Sequence, residues 1–460
     1  MDKIKHLYWR AGFGLSAEEW AERRRWSIPK AVDHLFEAAK KAKPAPPDPA
    51  PATGFDEGDK SQKEAFVEKL KEERRMVALQ GGDWLYRMAD PAQSALLERV
   101  SLFWHGHFAC QTKFSTLASA QVNTLRTHAL GSFRELTLAM ARDVSMIRFL
   151  NNQQNRKDSP NENFARELME LFTIGRGHYT EKDVKEAARA FTGWSSNLRG
   201  EFMFRPGQHD YGVKTFMGEN GRFDGEDIIA RILDKRATSE FITRKVFRYF
   251  VNEQVDEGLV ALLAKRYYES DYQMEVLLRA IFESDWFYAP EHIGSKIKAP
   301  VDLMAGILRK LKINFENDLA LVFVQRALGQ VLFNPPNVAG WPVGKPWIDN
   351  STLTLRLSLA GHLFNSAEVN LRTKGEPEDL EREKGIKKLQ ATVDMSSIFR
   401  LLDGVGDEQI PEVLADFLLV AQPKGFLEAL APHLKSAASR EERIRISTMA
   451  LMSLPEYQMC

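Results

Sequence analysis

The chain has 460 residues, 44% of them hydrophobic and 27% charged, which is typical of a globular protein with one large core or about two or three domains. Its 63 basic and 63 acidic residues cancel, so the net charge gives no support to nucleic-acid binding. The two cysteines, Cys110 and Cys460, exclude a disulfide framework and a CxxC zinc knuckle.

No targeting segment is recognisable in the sequence. The first residues, MDKIKHLYWRAGFG, lack the apolar region and the small-residue cleavage site of a signal peptide. A run of about eighteen apolar residues, which a membrane span requires, does not occur. The sequence therefore predicts a cytoplasmic protein without a membrane span.

Apolar residues recur with helical spacing along most of the chain, while charge and proline content divide it into distinct parts. In chain order these are N-terminal helices at 1–42, a Pro/Ala-rich linker or loop at 43–60, a main helical domain with the candidate site at 61–365, a charged connector at 366–387 and a helical C-terminal subdomain at 388–460. The period changes near 201–218, where FMF (202–204) and VKTFM (213–217) predict two short strands joined by RPGQHDYG. The expected fold class is all-α: a multi-helix globular core with a small β or irregular insertion.

Several helix starts are marked by capping sequences. Ser16 with Glu19 three residues later predicts a capping box, and TEKD at 180–183 marks another start. The segment SPNE at 159–162 predicts a third start, because its serine can cap, its proline suits the first helical position and its glutamate completes the box. This helix is expected to run through NFARELMELFTI and to end at the glycines that follow.

The segment FWHGHFAC places His105 and His107 on either side of Gly106. Side chains two positions apart do not face each other on a helix, but they can turn towards one metal ion if the helix ends at Gly106. The alternative is structural: one histidine caps the end of the helix and the other packs against Phe103 and Phe108. The segment alone leaves both interpretations open.

The segment NFARELMELFTI, residues 163–174, carries polar residues on one helical face. At 3.6 residues per turn, Asn163, Glu167 and Glu170 share a side, so the two carboxylates could bind one cation. The alternative is a solvated face of an amphipathic helix, on which Arg166 and Glu170 form an ion pair.

A loop follows with the dipeptide His209–Asp210 in the sequence QHDYG. This pair suits a metal site, but it also suits turn formation, because aspartate often accepts hydrogen bonds from nearby backbone amides. Motifs of the GxSxG and GxxxxGK[ST] type are absent, which disfavours serine hydrolases and P-loop nucleotidases.

The stretch FNPPNVAGWPVGKPW, residues 333–347, is here called the Trp loop. It is dense in Pro, Gly and Trp, and it is too aromatic to be disordered. Trp341 and Trp347 offer flat faces either for a ligand or for packing as a clasp over the helices.

Together these segments resemble a known bacterial family. YWRAGFG, FWHGHFA, RTHALGSFREL, PNENFARELMELFTIGRGHYTEKDVKEAARAFTGW, HDYGVKTFMG and NPPNVAGWPVGKPWIDNSTL, in this order, resemble the family called domain of unknown function 1800 over residues 6–365. The resemblance implies an uncharacterised function and a possible partner from a sulfatase-like family, domain of unknown function 1501, whose genes often neighbour those of this family. Many relatives look exported, which differs from the cytoplasmic prediction made above.

Two functional hypotheses follow, and the sequence leaves open whether the protein is an enzyme. The first is a metal-dependent hydrolase or oxidoreductase with a divalent Zn, Mn or Fe ion. Its metal ligands would be His105, His107, Glu170 and His209, and its catalytic residues Glu167, Arg166 and Asp210. The second is a non-catalytic helical binding or maturation protein. Its ligand-binding residues would be Asn163, Trp341, Trp347 and Asn337.

Overall fold

The computed structural model describes residues 2–42, 60–197, 199–365, 389–435 and 437–460. Nearly all of the predicted linker at 43–60 and the whole of the predicted connector at 366–387 lie outside these ranges. None of the helices within the described ranges combines the length and the apolar character of a transmembrane span.

Helices make up most of the structure, so the all-α prediction is confirmed. The first ten are α1 (Lys3–Arg10), α2 (Ala17–Arg23), α3 (Ile28–Lys41), α4 (Lys60–Ala89), α5 (Ala95–His107), α6 (Ser115–His128), α7 (Phe133–Ala141), α8 (Val144–Phe149), α9 (Asn163–Glu167) and α10 (Glu181–Ala190). The others are α11 (Gly225–Leu233), α12 (Arg236–Phe250), α13 (Glu257–Glu269), α14 (Met274–Phe282), α15 (Pro300–Lys310), α16 (Ala320–Leu328), α17 (Asn350–Asn365), α18 (Ser396–Leu401), α19 (Ile410–Leu418), α20 (Phe426–Leu434) and α21 (Arg440–Met452).

Short strands form antiparallel pairs in the described part of the chain. They are β1 (Trp194–Ser196) with β2 (Phe202–Phe204), β3 (Lys214–Phe216) with β4 (Glu219–Gly221), and β5 (Lys312–Phe315) with β6 (Ala391–Asp394). The predicted strands FMF and VKTFM are confirmed as β2 and β3, but each pairs with a neighbour in sequence and not with the other. The pair β5–β6 was not predicted, because its strands are far apart along the chain.

The capping box predicted at Ser16 and the helix start predicted at Thr180 are confirmed. The backbone N–H of Ser16 donates to Glu19 Oε2 at 2.9 Å, and that of Glu19 donates to Ser16 Oγ at 3.2 Å. At the start of α10, the backbone N–H of Thr180 donates to Asp183 Oδ2 at 2.8 Å, and that of Asp183 donates to Thr180 Oγ1 at 3.2 Å. These reciprocal bonds satisfy donors that a helix start would otherwise leave unpaired.

The capping box predicted at SPNE is wrong. The backbone N–H of Ser159 donates to Arg156 O at 2.9 Å, and Asn155 Oδ1 accepts from the backbone N–H of Asn161 at 2.9 Å. These bonds close a loop over the segment, so α9 begins later, at Asn163, whose N–H donates to Asn161 Oδ1 at 3.0 Å. Other hydrogen bonds within this loop have thus replaced the capping box that the sequence favours.

The helix that begins with α9 does not stay regular. Residues Leu168–Thr173 form a π-helix, in which the backbone N–H of Ile174 donates to Met169 O at 3.1 Å. The sequence predicted an unbroken α-helix over this stretch. A π-helix is rare and is often found at functional sites, because it leaves backbone groups to be satisfied by neighbouring elements.

A contiguous core of buried apolar side chains runs through the described residues, from α1 to the C-terminal helices. The part predicted as a C-terminal subdomain packs on this core, since β6 pairs with β5 and Lys310 Nζ donates to Phe417 O at 3.4 Å. The backbone N–H groups of Lys296 and Lys298 donate to Cys460 O at 3.1 Å and to Gln458 O at 2.9 Å. The C-terminal residues thus hold the segment that leads into α15.

Candidate ligand-binding site

Helix α5 ends at His107, so it does not end at Gly106, and His105 and His107 point to different surroundings. A separation of two residues turns the side chains by about 200° around a helix. His105 is fully buried, lies against the rings of Phe333 and Trp341, and accepts a hydrogen bond at Nε2 from the backbone N–H of Phe333 at 3.1 Å. Burial lowers the pKa of His105 to about 3, so the ring is neutral and its free lone pair is already used.

His107 joins α5 to the end of the π-helix. Its Nε2 lies 2.9 Å from Phe172 O, and its Nδ1 lies 3.3 Å from Lys245 Nζ. A carbonyl only accepts, so Nε2 carries the proton and Nδ1 accepts from the ammonium group. Burial, together with the charge of Lys245, holds the pKa of His107 well below its usual range. His107 also packs against Phe108, with 4.6 Å between ring centroids, as its structural interpretation predicted.

Lys245 on α12 completes this arrangement. Its ammonium group donates to Leu171 O at 2.8 Å, next to the carbonyl that His107 holds. The two side chains therefore satisfy neighbouring carbonyls at the end of the π-helix, where the regular bonding pattern fails. Burial lowers the pKa of Lys245 to about 8.

Beside this pair lies a cavity of about 240 Å³. It is bounded by α5, α12, the segment that leads into α15 and the Trp loop. Apolar walls come from Phe103, Trp341 and Trp347, and polar groups come from Lys245 and Lys296. Trp347 is 5% exposed, whereas Val343 in the same loop is 43% exposed.

The position of the Trp loop depends on Gly340. Gly340 has a φ of +83°, and a Cβ on it would overlap the backbone oxygen of Gly106. The loop can therefore cross the end of α5 only where a residue without a side chain allows close backbone approach. Asn337 shapes the preceding turn, since its Oδ1 accepts from the backbone N–H of Ala339 at 2.9 Å; it is exposed and does not line the cavity.

Asp302 and Lys296, which also line the cavity, are both buried. Asp302 Oδ1 is paired with Arg99, and Oδ2 accepts from the backbone N–H of Ala299 at 3.3 Å. Burial would raise the pKa of Asp302, but Arg99 and Lys296 outweigh it, and the pKa lies below its usual range. Burial lowers the pKa of Lys296 to about 8, and its Nζ donates to Tyr249 O.

The predicted catalytic Arg166 lies at the surface, in ion pairs. Its guanidinium nitrogens donate to both carboxylate oxygens of Glu181 at 2.7 Å and to Glu162 Oε2 at 3.1 Å. The hydrogen bonds with Glu181 raise the pKa of Arg166. The predicted pair of Arg166 with Glu170 is not present in the described structure, because Arg166 bonds to other helices and turns.

Glu170 pairs instead with Arg176, whose Nε donates at 2.7 Å, and with Tyr179, whose hydroxyl donates at 3.3 Å. The pKa of Glu167 is raised above its usual value. Burial is the larger cause, and the negative charge of Glu170 adds to it. The two carboxylates thus interact electrostatically. Asn163 is exposed, and its Nδ2 donates to Leu150 O at 3.2 Å.

His209 and Asp210 fasten their loop to the end of α10. His209 Nδ1 lies 2.8 Å from Thr192 O, and the backbone N–H of Asp210 donates to Thr192 Oγ1 at 2.8 Å. The carboxylate of Asp210 accepts from Arg189 Nε at 2.7 Å, and this hydrogen bond lowers the pKa of Asp210. Gly212 N–H also donates to Asp210 Oδ1 at 2.7 Å, which is the turn geometry considered as the alternative.

The family model described as "Protein of unknown function (DUF1800)" matches residues 6–459. The chain belongs to this family. The match runs past 365, where the sequence resemblance was placed, and includes the C-terminal helices that pack on the common core. No curated protein and no solved structure matches the chain.

The signature segments of this DUF1800 chain therefore contact one another, and FWHGHF meets the Trp loop through His105 and Trp341. His107 and Lys245 join FWHGHF to the π-helix, while His209 and Asp210 join HDYG to the end of α10. Within the ranges that the structure describes, no three His, Cys, Asp or Glu side chains are grouped to hold a metal ion. The four predicted metal ligands do not converge, and the Zn, Mn or Fe site stays a prediction.

Sequence reasoning missed the cations of the cavity, Lys245, Lys296 and Arg248. Lys245 is the one residue of this set with a local signal, because Phe241, Ile242 and Tyr249 lie within one helical turn of it in RATSEFITRKVFRYF. A lysine at such a position must bury its ammonium group or extend it to the surface. Which of the two occurs depends on the π-helix carbonyls, which are distant in sequence.

Proposed function

We propose that this protein binds a small organic ligand in the cavity beneath the Trp loop. The observation that carries this proposal is that Trp341 and Trp347 share one cavity with His107 and Lys245. The loop and the histidine segment, which the sequence treated as separate candidates, thus contribute to the same walls. Cavities with apolar walls and a few placed polar groups are the usual form of a ligand site.

Contacts within the protein hold the walls of the cavity in place, which supports a site that is formed before a ligand binds. The Trp loop is positioned by Gly340 against α5, and Lys245 is held by hydrogen bonds to His107 on α5 and to Leu171 O in the π-helix. Walls that are fixed before binding lose little conformational freedom when a ligand enters. A non-catalytic binding or maturation role accounts for this arrangement without a reaction at the site.

A set of single-ring compounds tests the proposal: benzyl alcohol, benzamide, benzoate and benzylamine. We expect at least one of them to bind, as measured by ligand-observed NMR and calorimetry. Trp341→Ala should weaken that binding at least about tenfold, because a ring at the cavity is lost. Trp341 is only partly buried, so this change is milder for the fold than a change at Trp347.

The matched control is Trp26→Ala. Trp26 is also partly buried, and Lys30 Nζ lies 4.2 Å from its ring centroid, so a Trp–Lys pair exists there that does not line the cavity beneath the Trp loop. Trp26→Ala should leave binding unchanged. Failure of all the compounds to bind, or equal loss in the two variants, would overturn the proposal.

The metal-dependent enzyme remains a separate hypothesis, as does a partner from the domain of unknown function 1501 family. Glu167 and Glu170 interact electrostatically, whereas His105 Nε2 and both ring nitrogens of His107 are engaged in other hydrogen bonds. A metal bound by these carboxylates would therefore need other ligands than the predicted histidines.

A further inference from the structure

We infer that the ligand of this cavity is an organic anion, whose carboxylate or equivalent oxyanion lies against Lys245 and Lys296 and whose flat apolar part lies against the Trp loop. The inference rests on the proposed function and adds the charge and the polarity of the ligand. It depends on the balance of charges around the cavity and on the hydrogen bonds that these charges already make.

Cations outnumber anions among the described residues that line the cavity. The cations are Lys245, Lys296 and Arg248, and the carboxylate is Asp302. Both oxygens of Asp302 are occupied, one of them by the buried guanidinium of Arg99, so its charge is already compensated. Within the cavity, Lys245 has no carboxylate partner, and Lys296 shares the charge of Asp302 with Arg99.

The lysines also retain unused hydrogen-bond donors. An ammonium group has three N–H donors. Lys245 uses two of them, on His107 Nδ1 and Leu171 O, and Lys296 uses one, on Tyr249 O. The groups that accept these hydrogen bonds are neutral. They therefore satisfy donors of the two ammonium groups without neutralising their positive charge. Burial of an uncompensated cation is costly, and a bound anion would remove that cost.

A purely structural role for Lys245 explains its contact with the π-helix, but a neutral donor would satisfy the same carbonyl. Glu253 lies at the rim, where its carboxylate is next to Gly344, and it is not part of the cavity lining. Cys460 acts on Lys296 as a further negative charge, and Arg10 and Arg99 act on it as positive charges. With these groups and Glu253 counted, five cations face three negative groups. The surplus of positive charge remains, and it favours an anionic ligand over a neutral or cationic one of the same shape.

The test compares benzoate, benzamide and benzylamine on the full chain by calorimetry at neutral pH. These probes share a ring and differ in charge, so the comparison does not depend on any variant. We expect benzoate to bind at least about tenfold more tightly than the other two. Equal or tighter binding of benzamide would overturn the inference and leave the proposed function intact, whereas no binding of any probe would overturn both.

Variants then locate the anion. Lys296→Met and Lys245→Met should each reduce benzoate affinity about tenfold and leave benzamide affinity within about twofold. Lys30→Met, at the exposed pair with Trp26, is the control and should change neither. If Lys245→Met does not fold, the Lys296→Met variant and the comparison of the three probes still test whether the cavity binds an anion. Unchanged benzoate affinity in a folded Lys296→Met protein would contradict the placement of the anion.

Discussion

His107 and Lys245 hold adjacent carbonyls of one π-helix, those of Phe172 and Leu171, and are themselves joined by a hydrogen bond of 3.3 Å. The proton on Nε2 of His107 is fixed by the carbonyl, so Nδ1 must accept from the lysine. This relationship makes the orientation of Lys245 towards the cavity depend on a histidine from another helix. His107 thus positions a cation.

Replacement of His107 should therefore weaken the fold. His107→Phe keeps a ring among the surrounding aromatic side chains but removes both hydrogen bonds, which leaves Phe172 O and one donor of Lys245 unpaired. We expect a loss of about 2 kcal/mol in the free energy of unfolding, measured by urea denaturation. His128→Phe, at a half-buried position on α6, should cost less than about 0.5 kcal/mol. Equal losses in the two variants would show that the hydrogen bonds of His107 contribute nothing.

The surroundings of His107 also show which features of the structure could be predicted from the sequence and which could not. The helices and the strands FMF and VKTFM were predictable, because apolar periodicity is local information. The orientations of His105 and His107 were not predictable, because they depend on whether the helix continues past Gly106. That continuation is stabilised by contacts with Phe172 and Phe333, which are 65 and 228 residues away.

The helix starts give a sharper comparison, since Thr180 and Ser159 have similar capping sequences but only Thr180 caps. We expect Thr180→Ala to lower the free energy of unfolding by about 1 kcal/mol, because it removes the acceptor of the Asp183 N–H. Ser159→Ala should cost less than about 0.5 kcal/mol, because the contacts of its loop are made by the backbone. Chemical denaturation of both variants checks this, and a larger loss for Ser159→Ala would contradict the described start of α9.

The Trp loop should be sensitive to a single methyl group at Gly340. Gly340→Ala introduces both an unfavourable positive φ and an overlap with Gly106 O, so it should displace the loop and weaken binding of the single-ring probes. Gly329 has a similar φ of +90° but open space around its Cβ position, so Gly329→Ala isolates the backbone effect.

We expect Gly329→Ala to cost about 1 kcal/mol in unfolding free energy and to leave probe binding unchanged. Gly340→Ala should cost more, and it should reduce probe affinity as well. Calorimetry and denaturation of the two variants measure these effects. If the two substitutions had the same effects on stability and on binding, the close approach of the loop to α5 would not matter for the site.

The metal hypothesis can be tested without disturbing the buried histidines. A site built on Glu170 should raise the melting temperature when Zn, Mn or Fe is added, because a metal that binds the folded state stabilises it. Glu170→Gln should abolish that rise, whereas Glu181→Gln, at another surface ion pair, should not. Elemental analysis of untagged protein, purified without chelator, completes the test. Stoichiometric metal that is lost only in Glu170→Gln would support the enzyme hypothesis over our proposal.

The pH dependence of anion binding follows from the two lysines. Their pKa values of about 8 mean that both ammonium groups lose their protons just above neutral pH. A bound anion favours the charged form, so binding takes up protons in this range and the affinity must fall as the pH rises.

His107, Asp302 and Tyr249, which also line the cavity, do not titrate in the same range. The pKa of His107 lies far below it, and that of Tyr249 is raised by burial. Lys298, with a pKa of about 7, donates to Tyr457 O and does not line the cavity. We therefore expect benzoate affinity to fall at least about tenfold between about pH 7 and about pH 10, while benzamide affinity stays constant. Calorimetric titrations across this range measure both, and a flat profile for benzoate would show that no lysine of the cavity contacts the anion.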